Sequence, residues 1–328
     1  MTVIAREAKH LSPVAFIARS IISLGLSGRL PTTSWYQDVL EIGSGTVQKA
    51  LQELKKSGAV TLVSRGHQGT FVVSWDFTLL WNAARIPPVH MLLPPRGSRE
   101  ATQVASALVE QCSQWGVVTT VGYLRGAHSR LAAFNENTAD IVLLSSGSAQ
   151  MLMKDAAAEG YELFEVGNGS YYRPESLVVV EKTDTVAATR LRVGIDFHSS
   201  DHQRLTRAQF PETQCEYVEV DFTLLPRSVF LGEIDTGVWH QEPSLIPLDK
   251  IGLTIRALDN PQAMALADEI SSAVLVVRST SPVAQLLRQV DFDKLKRQAM
   301  QPVNTSDPYF ASVPDILRFQ KIASIARS

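Results

Sequence analysis

Four stretches of this 328-residue chain collect side chains that bind or move charge. They are Arg96-Gly97-Ser98-Arg99, Gly126-Ala127-His128-Ser129-Arg130, Ser145-Ser146-Gly147-Ser148, and His198-Ser199-Ser200 with Trp239-His240. A serine hydroxyl beside the free N–H groups of a helix start holds an anion. An arginine fork pairs with a carboxylate or a phosphate. Ser98 and Ser129 suit the first task, and Arg96, Arg99 and Arg130 the second. The same residues have plainer readings. Ser98, Ser146 and Ser148 fit as helix caps, His128 and His198 as loop histidines, and Trp239 as core. Taken as a group, the loops point to a small anionic metabolite.

Catalysis asks for more than these loops offer. Asp196 with His198, and Asp235 with His240, have the residue types of acid–base pairs. Neither pair has a third, orienting group visible in the sequence. The chain has no nucleophile elbow, Walker loop, Rossmann glycine triplet or zinc spacing. Its body lysines (154, 182, 250, 294, 296 and 321) do not end apolar strands among small residues, as a pyridoxal lysine would. The two cysteines, Cys112 and Cys215, read as reduced and buried thiols. No catalytic residue, metal or cofactor is assigned.

A second constellation lies near the N-terminus, in "GSGTVQKALQELKKSG" (43–58). Val47, Ala50, Leu51 and Leu54 recur at helical spacing and face a core. Ser44, Thr46, Gln48, Lys49, Gln52 and Lys55 lie on other faces. An α-helix fits the major groove with its N-terminal side chains toward base edges. Two shorter helices precede it. One follows Ser12-Pro13 with Val14, Ile17, Ile21 and Leu24 on its apolar side. The other follows Thr32 or Thr33, with Trp35, Val39 and Leu40. "AVTLVSRGHQGTFVV" then reads as a hairpin with Arg65 and His67 near its tip. Three helices and a basic hairpin make a winged helix-turn-helix. The predicted DNA-facing residues are Ser44, Thr46, Gln48, Lys49, Gln52, Arg65 and His67.

Charge divides along the same line. Residues 1–75 hold eight Lys/Arg against four Asp/Glu, a net +4 in a chain whose total is -2. A basic head on an acidic body (about -6) directs only the head to a polyanion. No apolar run is long enough to span a membrane, and the N-terminus lacks a signal core, so a cytoplasmic protein is expected.

Beyond a short segment ending at Ile86-Pro87-Pro88, strand and helix patterns alternate. Such alternation predicts parallel sheets covered on both faces. "FNENTADIVLLSS" and "FLGEIDTGVWH" echo one another, with Asp140 and Asp235 in matching places, which predicts two similar lobes. In open α/β sheets a ligand sits beyond the carboxyl ends of the strands, where the four loops above fall. The expected division is a head over 1–75, a linker over 76–89 and a body over 90–328. Lobe 1 takes about 90–182 and 273–328, and lobe 2 about 183–272.

Residues 28–73 resemble the DNA-binding domain of GntR-type bacterial regulators. The resemblance is carried by Gly28, Leu30-Pro31, Thr46-Val47, Ala50-Leu51, Leu54, Gly58 and Gly69-Thr70-Phe71-Val72. That family usually has Ser-Arg at the turn and an Arg after the Thr-Val pair. This chain has Gly43-Ser44-Gly45 and Gln48, which shifts any base readout to Ser44, Thr46, Gln48 and Lys49. The body resembles the type 2 periplasmic-binding-protein fold, which also serves as the effector domain of LysR-type regulators. Head and body together are similar to the YhfZ-type transcriptional regulators. The resemblance implies a multidomain α/β protein, a winged helix-turn-helix followed by a two-lobe ligand-binding domain. It implies double-stranded operator DNA, a small-molecule effector and a homodimer as partners. Two other functions fit the same residues. One is an enzyme built on the two-lobe fold with an autoregulatory head; the other is a regulator whose body only dimerises.

Overall fold

The computed structural model describes residues 10–95, 99–154, 160–183, 190–241 and 247–301. They fall into two compact units. One comprises Met1–Val89, Val109–Thr119 and Val277–Val290; the other comprises His90–Leu108, Thr120–Val276 and Asp291–Ser328.

The first unit opens with α1 (Pro13–Leu24), α2 (Thr33–Leu40) and α3 (Ser44–Lys56). Ser12 caps α1 by accepting from the Ala15 N–H, and proline fills its first position. Gly25, at φ 77°, ends it in a conformation that a side chain resists. Thr32 caps α2 by accepting from the Trp35 N–H. Val47, Ala50 and Leu54 of α3 are buried, as their spacing predicts. The first two helices differ in part from expectation: Ile17 and Ile21 of α1 are buried as their spacing predicts, but other positions are not. In α1 the buried set is Ala15, Phe16, Ile17, Ala18, Ile21 and Ile22, while Leu24 is exposed. This helix is packed on more than one side, because α4 (Phe77–Ala84) and α11 (Pro282–Leu287) lie against it as well as α3. In α2 the buried residue is Tyr36, not Trp35, Val39 or Leu40. The Tyr36 hydroxyl lies 3.0 Å from that of Ser20. Burial pushes the phenol up to about 12, against the lowering effect of the Ser20 bond.

β1 (Val60–Ser64) and β2 (Thr70–Trp75) pair antiparallel with one irregularity between Thr61 and Leu62. The segment before α2 forms a third extended piece. Ser27 N–H donates to Val72 O, Val72 N–H to Gly28 O, and Leu30 N–H to Thr70 O. After the wing, α4 is capped by Asp76 and joined to α1 by Arg19, whose Nε and Nη2 donate to Ala84 O and Arg85 O. The 76–89 segment therefore contains a helix packed within this unit.

Two five-stranded sheets follow. Their strands are β3 (Val89–Leu93), β4 (Thr119–Tyr123), β5 (Ile141–Ser145), β6 (Tyr161–Gly167), β7 (Leu177–Lys182), β8 (Leu191–Ile195), β9 (Cys215–Glu219), β10 (Thr236–His240), β11 (Leu253–Ala257) and β12 (Ala273–Arg278). The helices are α5 (Arg99–Gln114), α6 (Ala127–Asn135), α7 (Ser146–Leu152), α8 (Ser200–Gln209), α9 (Leu225–Leu231), α10 (Pro261–Glu269) and α12 (Phe292–Ala299). The sheet orders are β4-β3-β5-β12-β6 and β9-β8-β10-β7-β11. Position by position, the two orders are the same.

These sheets are mixed, not parallel. β3 runs parallel to β5, and β8 to both β9 and β10. β12 is antiparallel to β5, and β7 is antiparallel to β10 and β11. The antiparallel strands are those that follow a crossing of the chain between lobes. β7, expected in lobe 1, belongs to the second sheet, so the crossover precedes residue 177. The two crossing segments are bonded side by side. Tyr171 N–H donates to Ser271 O at 2.8 Å, and Ala273 N–H to Ser170 Oγ at 2.8 Å.

The sequence echo has a structural counterpart. Asp140 donates its N–H to His90 O and accepts the His90 N–H on Oδ2, both at 2.8 Å. Asp235 does the same with Arg192 in the other lobe, again at 2.8 Å for both bonds. Each aspartate ties the start of a central strand to its parallel neighbour. Asp235 also accepts from the Arg192 guanidinium at 2.7 Å, and that bond holds its carboxyl below the usual range. A depressed carboxyl contributes stability above its unfolded pKa and loses it as pH falls through the folded one. Asp235→Asn should therefore lower stability by about 1–2 kcal/mol at neutral pH. The difference from the parent should vanish in acid, and urea melts across pH check both halves.

Candidate functional site

The head presents one polar surface. Ser44, Thr46, Gln48, Lys49 and Gln52 are all exposed, while Val47, Ala50 and Leu54 of the same helix are buried. α3 begins at Gly43 without a side-chain cap, so its first N–H groups stay open. Neither Gly43 nor Gly45 has a positive φ, and a Cβ at either would meet nothing within 4 Å. The left-handed residue ahead of this helix is Glu41, at φ 55°. The glycines thus answer no steric demand inside the head.

At the wing tip, Arg65 N–H donates to Gly69 O across a short 3-10 turn of Gly66–Gln68. The Arg65 guanidinium lies over the Phe71 ring at 4.8 Å, and His67 is exposed. Sequence reasoning missed Arg29. Its backbone bridges Phe71, and a Cβ added at Gly69 would stand 2.7 Å from its Nε. Two arginines therefore flank the wing loop.

The body holds a second site, a small pocket between the lobes, partly open to solvent. Gly126, Ala127, Arg130 and Ser148 line it from the first lobe, and Ser199, Ser200, Asp201 and Phe222 from the second. Tyr171 and Tyr172, on a crossing segment, and Pro94 and Pro95 complete it.

Arg130 is buried, though charged. Its Nε donates to Leu143 O (3.1 Å), Nη1 to Leu124 O (2.9 Å) and Nη2 to the Tyr171 hydroxyl (3.2 Å). Gly126 starts α6 at φ 85° with no side-chain cap, leaving helix N–H groups at the same wall. Asp201 faces them from the other lobe, also buried. Ser145 Oγ donates to its Oδ2 at 2.5 Å and Ser148 Oγ to its Oδ1 at 3.3 Å. Burial holds the Asp201 carboxyl above its usual range, opposed by the two serine bonds and by Arg204 and Arg130.

The other predicted ligand residues scatter. Ser199 lines the pocket and caps α8 by accepting from the His202 N–H. Ser146 spends its hydroxyl on Glu269 O and the Ser272 N–H. His128 and Ser129 are exposed and do not line the pocket. His198 is exposed beside Glu219 at 3.9 Å. Arg99 is half-buried at the start of α5. Arg96 and Ser98 lie outside the described residues. Trp239 sits in the apolar core of the second lobe with Val178, Val180, Leu225 and Ile234.

The two acid–base combinations do not form dyads. Asp196 accepts the backbone N–H of His198 and pairs with Arg125 at 2.8 Å. Asp235 pairs with Arg192, whereas His240 meets Glu100 at 3.3 Å from the opposite end of β10. Burial pushes the Glu100 carboxyl up, but the bond and charge of His240, with Arg173, outweigh it and leave a lowered pKa. Tyr171, Tyr172 and Asp201 were the residues sequence reading passed over. "GNGSYY" reads as a plain loop, yet Gly167 and Gly169 take φ 112° and 79° there, and the loop is the crossover itself. Among the described residues, no group of three or more His, Cys, Asp and Glu is placed to hold a metal. No helix there is long and apolar enough to cross a membrane.

A winged helix-turn-helix head joined to a two-lobed α/β body suggests a class, the DNA-binding regulators. The model of the YhfZ C-terminal domain matches residues 76–305, and that of a helix-turn-helix domain matches 27–72. The chain belongs to the YhfZ family. It is 25% identical over 283 residues to the uncharacterized protein YhfZ of Escherichia coli (strain K12), covering 84% of this chain and 89% of that one. The crystal structure of YhfZ from Shigella flexneri matches with a TM-score of 0.51 at 22% identity, over 68% of this chain and 93% of that one. The periplasmic aliphatic sulphonate binding protein SsuA from Escherichia coli is matched at a TM-score of 0.44 and 16% identity, over 74% and 77%.

The placement of Trp239 has a direct consequence. Trp239→Ala should destabilise the protein by about 3–5 kcal/mol, the usual cost of emptying a buried aromatic site. Trp239→Phe should cost less, because it keeps most of the core volume. Denaturant melts of both variants check this.

Proposed function

We propose that this protein is a cytoplasmic, ligand-responsive transcriptional regulator with a head that reads operator DNA and a body that senses a small anionic molecule. The observation that carries the reading is the division of α3. Its apolar stripe is used up inside the head, and its polar N-terminal face is left entirely exposed. In the manner of the GntR-type heads it resembles, Ser44, Thr46, Gln48, Lys49 and Gln52 enter the major groove. Arg65 and His67 reach the backbone from the wing. Gly43 and Gly45 keep the helix start bare, so a phosphate approaches the open N–H groups closely.

The anion belongs to the body. Arg130 and the uncapped start of α6 converge on one wall of the pocket, and both favour negative charge. The domain division that suits this function is a head over 1–75, a joining segment over 76–89 and a two-lobed body from 90. Two heads in a homodimer read paired half-sites, since one module covers few base pairs. A coupling of about 1–3 kcal/mol between effector and DNA suffices for a switch.

Selection of duplex DNA from a random pool by the full chain tests the reading. A palindromic site should be enriched, with affinity falling steeply in salt. Lys49→Ala and Arg65→Ala should each weaken binding and reduce the log–log salt slope by about one. Enrichment of no site, with only weak binding lost at moderate salt, would overturn the regulator. A monomer on DNA by sedimentation would overturn the dimer.

A further inference from the structure

The pocket carries two opposite charges that do not pair with each other. Arg130 has five N–H groups, and the bonds to Leu143 O, Leu124 O and the Tyr171 hydroxyl use three. Every one of these acceptors is neutral, and among the described residues no carboxylate is ion-paired with this guanidinium. One N–H on each terminal nitrogen remains. Asp201 shows the complementary condition. Its oxygens accept only serine hydroxyls, and among the described residues no cation is ion-paired with it. The nearby Arg204 directs its Nη2 to Glu269 instead, at 2.7 Å.

Buried charges with only neutral partners are costly, and side chains that line one small pocket ordinarily relieve the cost by pairing. Here the cation is tied to the first lobe and the crossover, while the carboxylate is tied to serines at the start of α7. Each is held by its own bonds, Asp201 across the lobe boundary to serines of the first lobe, and neither is turned to the other. A guest that is only an anion would satisfy Arg130 and leave Asp201 as a like charge beside it. A guest with an ammonium as well satisfies both.

We propose that the pocket is a receptor for a small zwitterion, with an acid group on Arg130 and a primary ammonium on Asp201. The proposal rests on the reading of this pocket as the anion-binding effector site, and it names the class of effector. The ammonium's N–H donors match the free lone pairs of Asp201 and the hydroxyls of Ser199 and Ser200 at the same wall. A bound ammonium also keeps Asp201 ionised, against the burial that holds its carboxyl high. Pro94, Pro95 and Phe222 close the remaining sides and keep the guest small.

Isothermal titration of the full chain with the standard amino acids, each against its 2-hydroxy acid, tests this, with malonate and inorganic phosphate as anion-only probes. At least one amino acid should bind about tenfold or more tightly than its hydroxy acid, because the hydroxyl leaves the carboxylate without its counter-charge. Asp201→Asn should erase that preference while keeping hydroxy-acid binding. If this variant does not fold, the ratio in the parent protein decides alone. Hydroxy acids, malonate or phosphate binding as tightly as the best amino acid would overturn the zwitterion and leave the anion site standing. Binding of no probe at all would overturn both.

Discussion

A buried guanidinium with neutral partners organises the body. A charge taken out of water must be met by hydrogen bonds, or the fold loses several kcal/mol. Arg130 meets that demand with the carbonyls of Leu124, just past β4, and Leu143, inside β5, and with the hydroxyl of Tyr171 on the crossover. Three separate parts of the chain are thereby fixed around one side chain. The Tyr171 ring in turn packs edge-on against Tyr172 at 4.7 Å, and Tyr172 against His240 at 5.2 Å. The network runs from the first lobe through the crossover to the end of β10. The pocket wall is a by-product of solving a solvation problem.

The second lobe solves a related problem with a neutral group. His202 is buried, and its Nδ1 accepts the Asp196 N–H at 3.0 Å. That assigns the ring proton to Nε2, which lies 2.8 Å from Val238 O. Burial lowers the His202 pKa, in keeping with a neutral ring. Between the lobes the contacts are polar: Ser145 and Ser148 on Asp201, Arg125 on Asp196 and Asp221, Glu100 on His240. Water replaces such contacts at less cost than it replaces an apolar seam. The crossing segments, by contrast, are bonded backbone to backbone.

Much of this was legible in the sequence because it depends on local chemistry. Ser12-Pro13 and Thr32 cap helices for reasons that act within four residues. The α3 stripe and the wing hairpin follow from periodicity and glycine placement. Asp140 and Asp235 could be matched because each lobe repeats one local construction. What stayed hidden depends on pairing across long stretches of chain. Strand direction in the mixed sheets is set by where the chain crosses, and an apolar run such as Leu177–Lys182 reads the same in either sheet. Tyr36 outcompetes Trp35 because a hydroxyl from another helix meets it. Asp201 joins Arg130 only because two lobes, some seventy residues apart in sequence, face one another.

The head and the body divide their chemistry in the same way the sequence divides its charge. In the head, cations stand on the surface, where water keeps them inexpensive and a polyanion meets them from outside. Lys49, Lys55, Arg29 and Arg65 are all exposed. Their worth in binding comes from displaced counterions, so it is large in sum, poorly directional and sensitive to salt. In the body the cation that matters is withdrawn from water and held by three bonds at one point. A cation so placed acts through orientation in a low dielectric, and salt screens it little. The regulator proposed above, which finds one long polyanion and discriminates among small ions, requires both kinds of site. The Gly43-Ser44-Gly45 start of α3 and the Gly126 start of α6 share one feature, backbone N–H groups that no side chain caps.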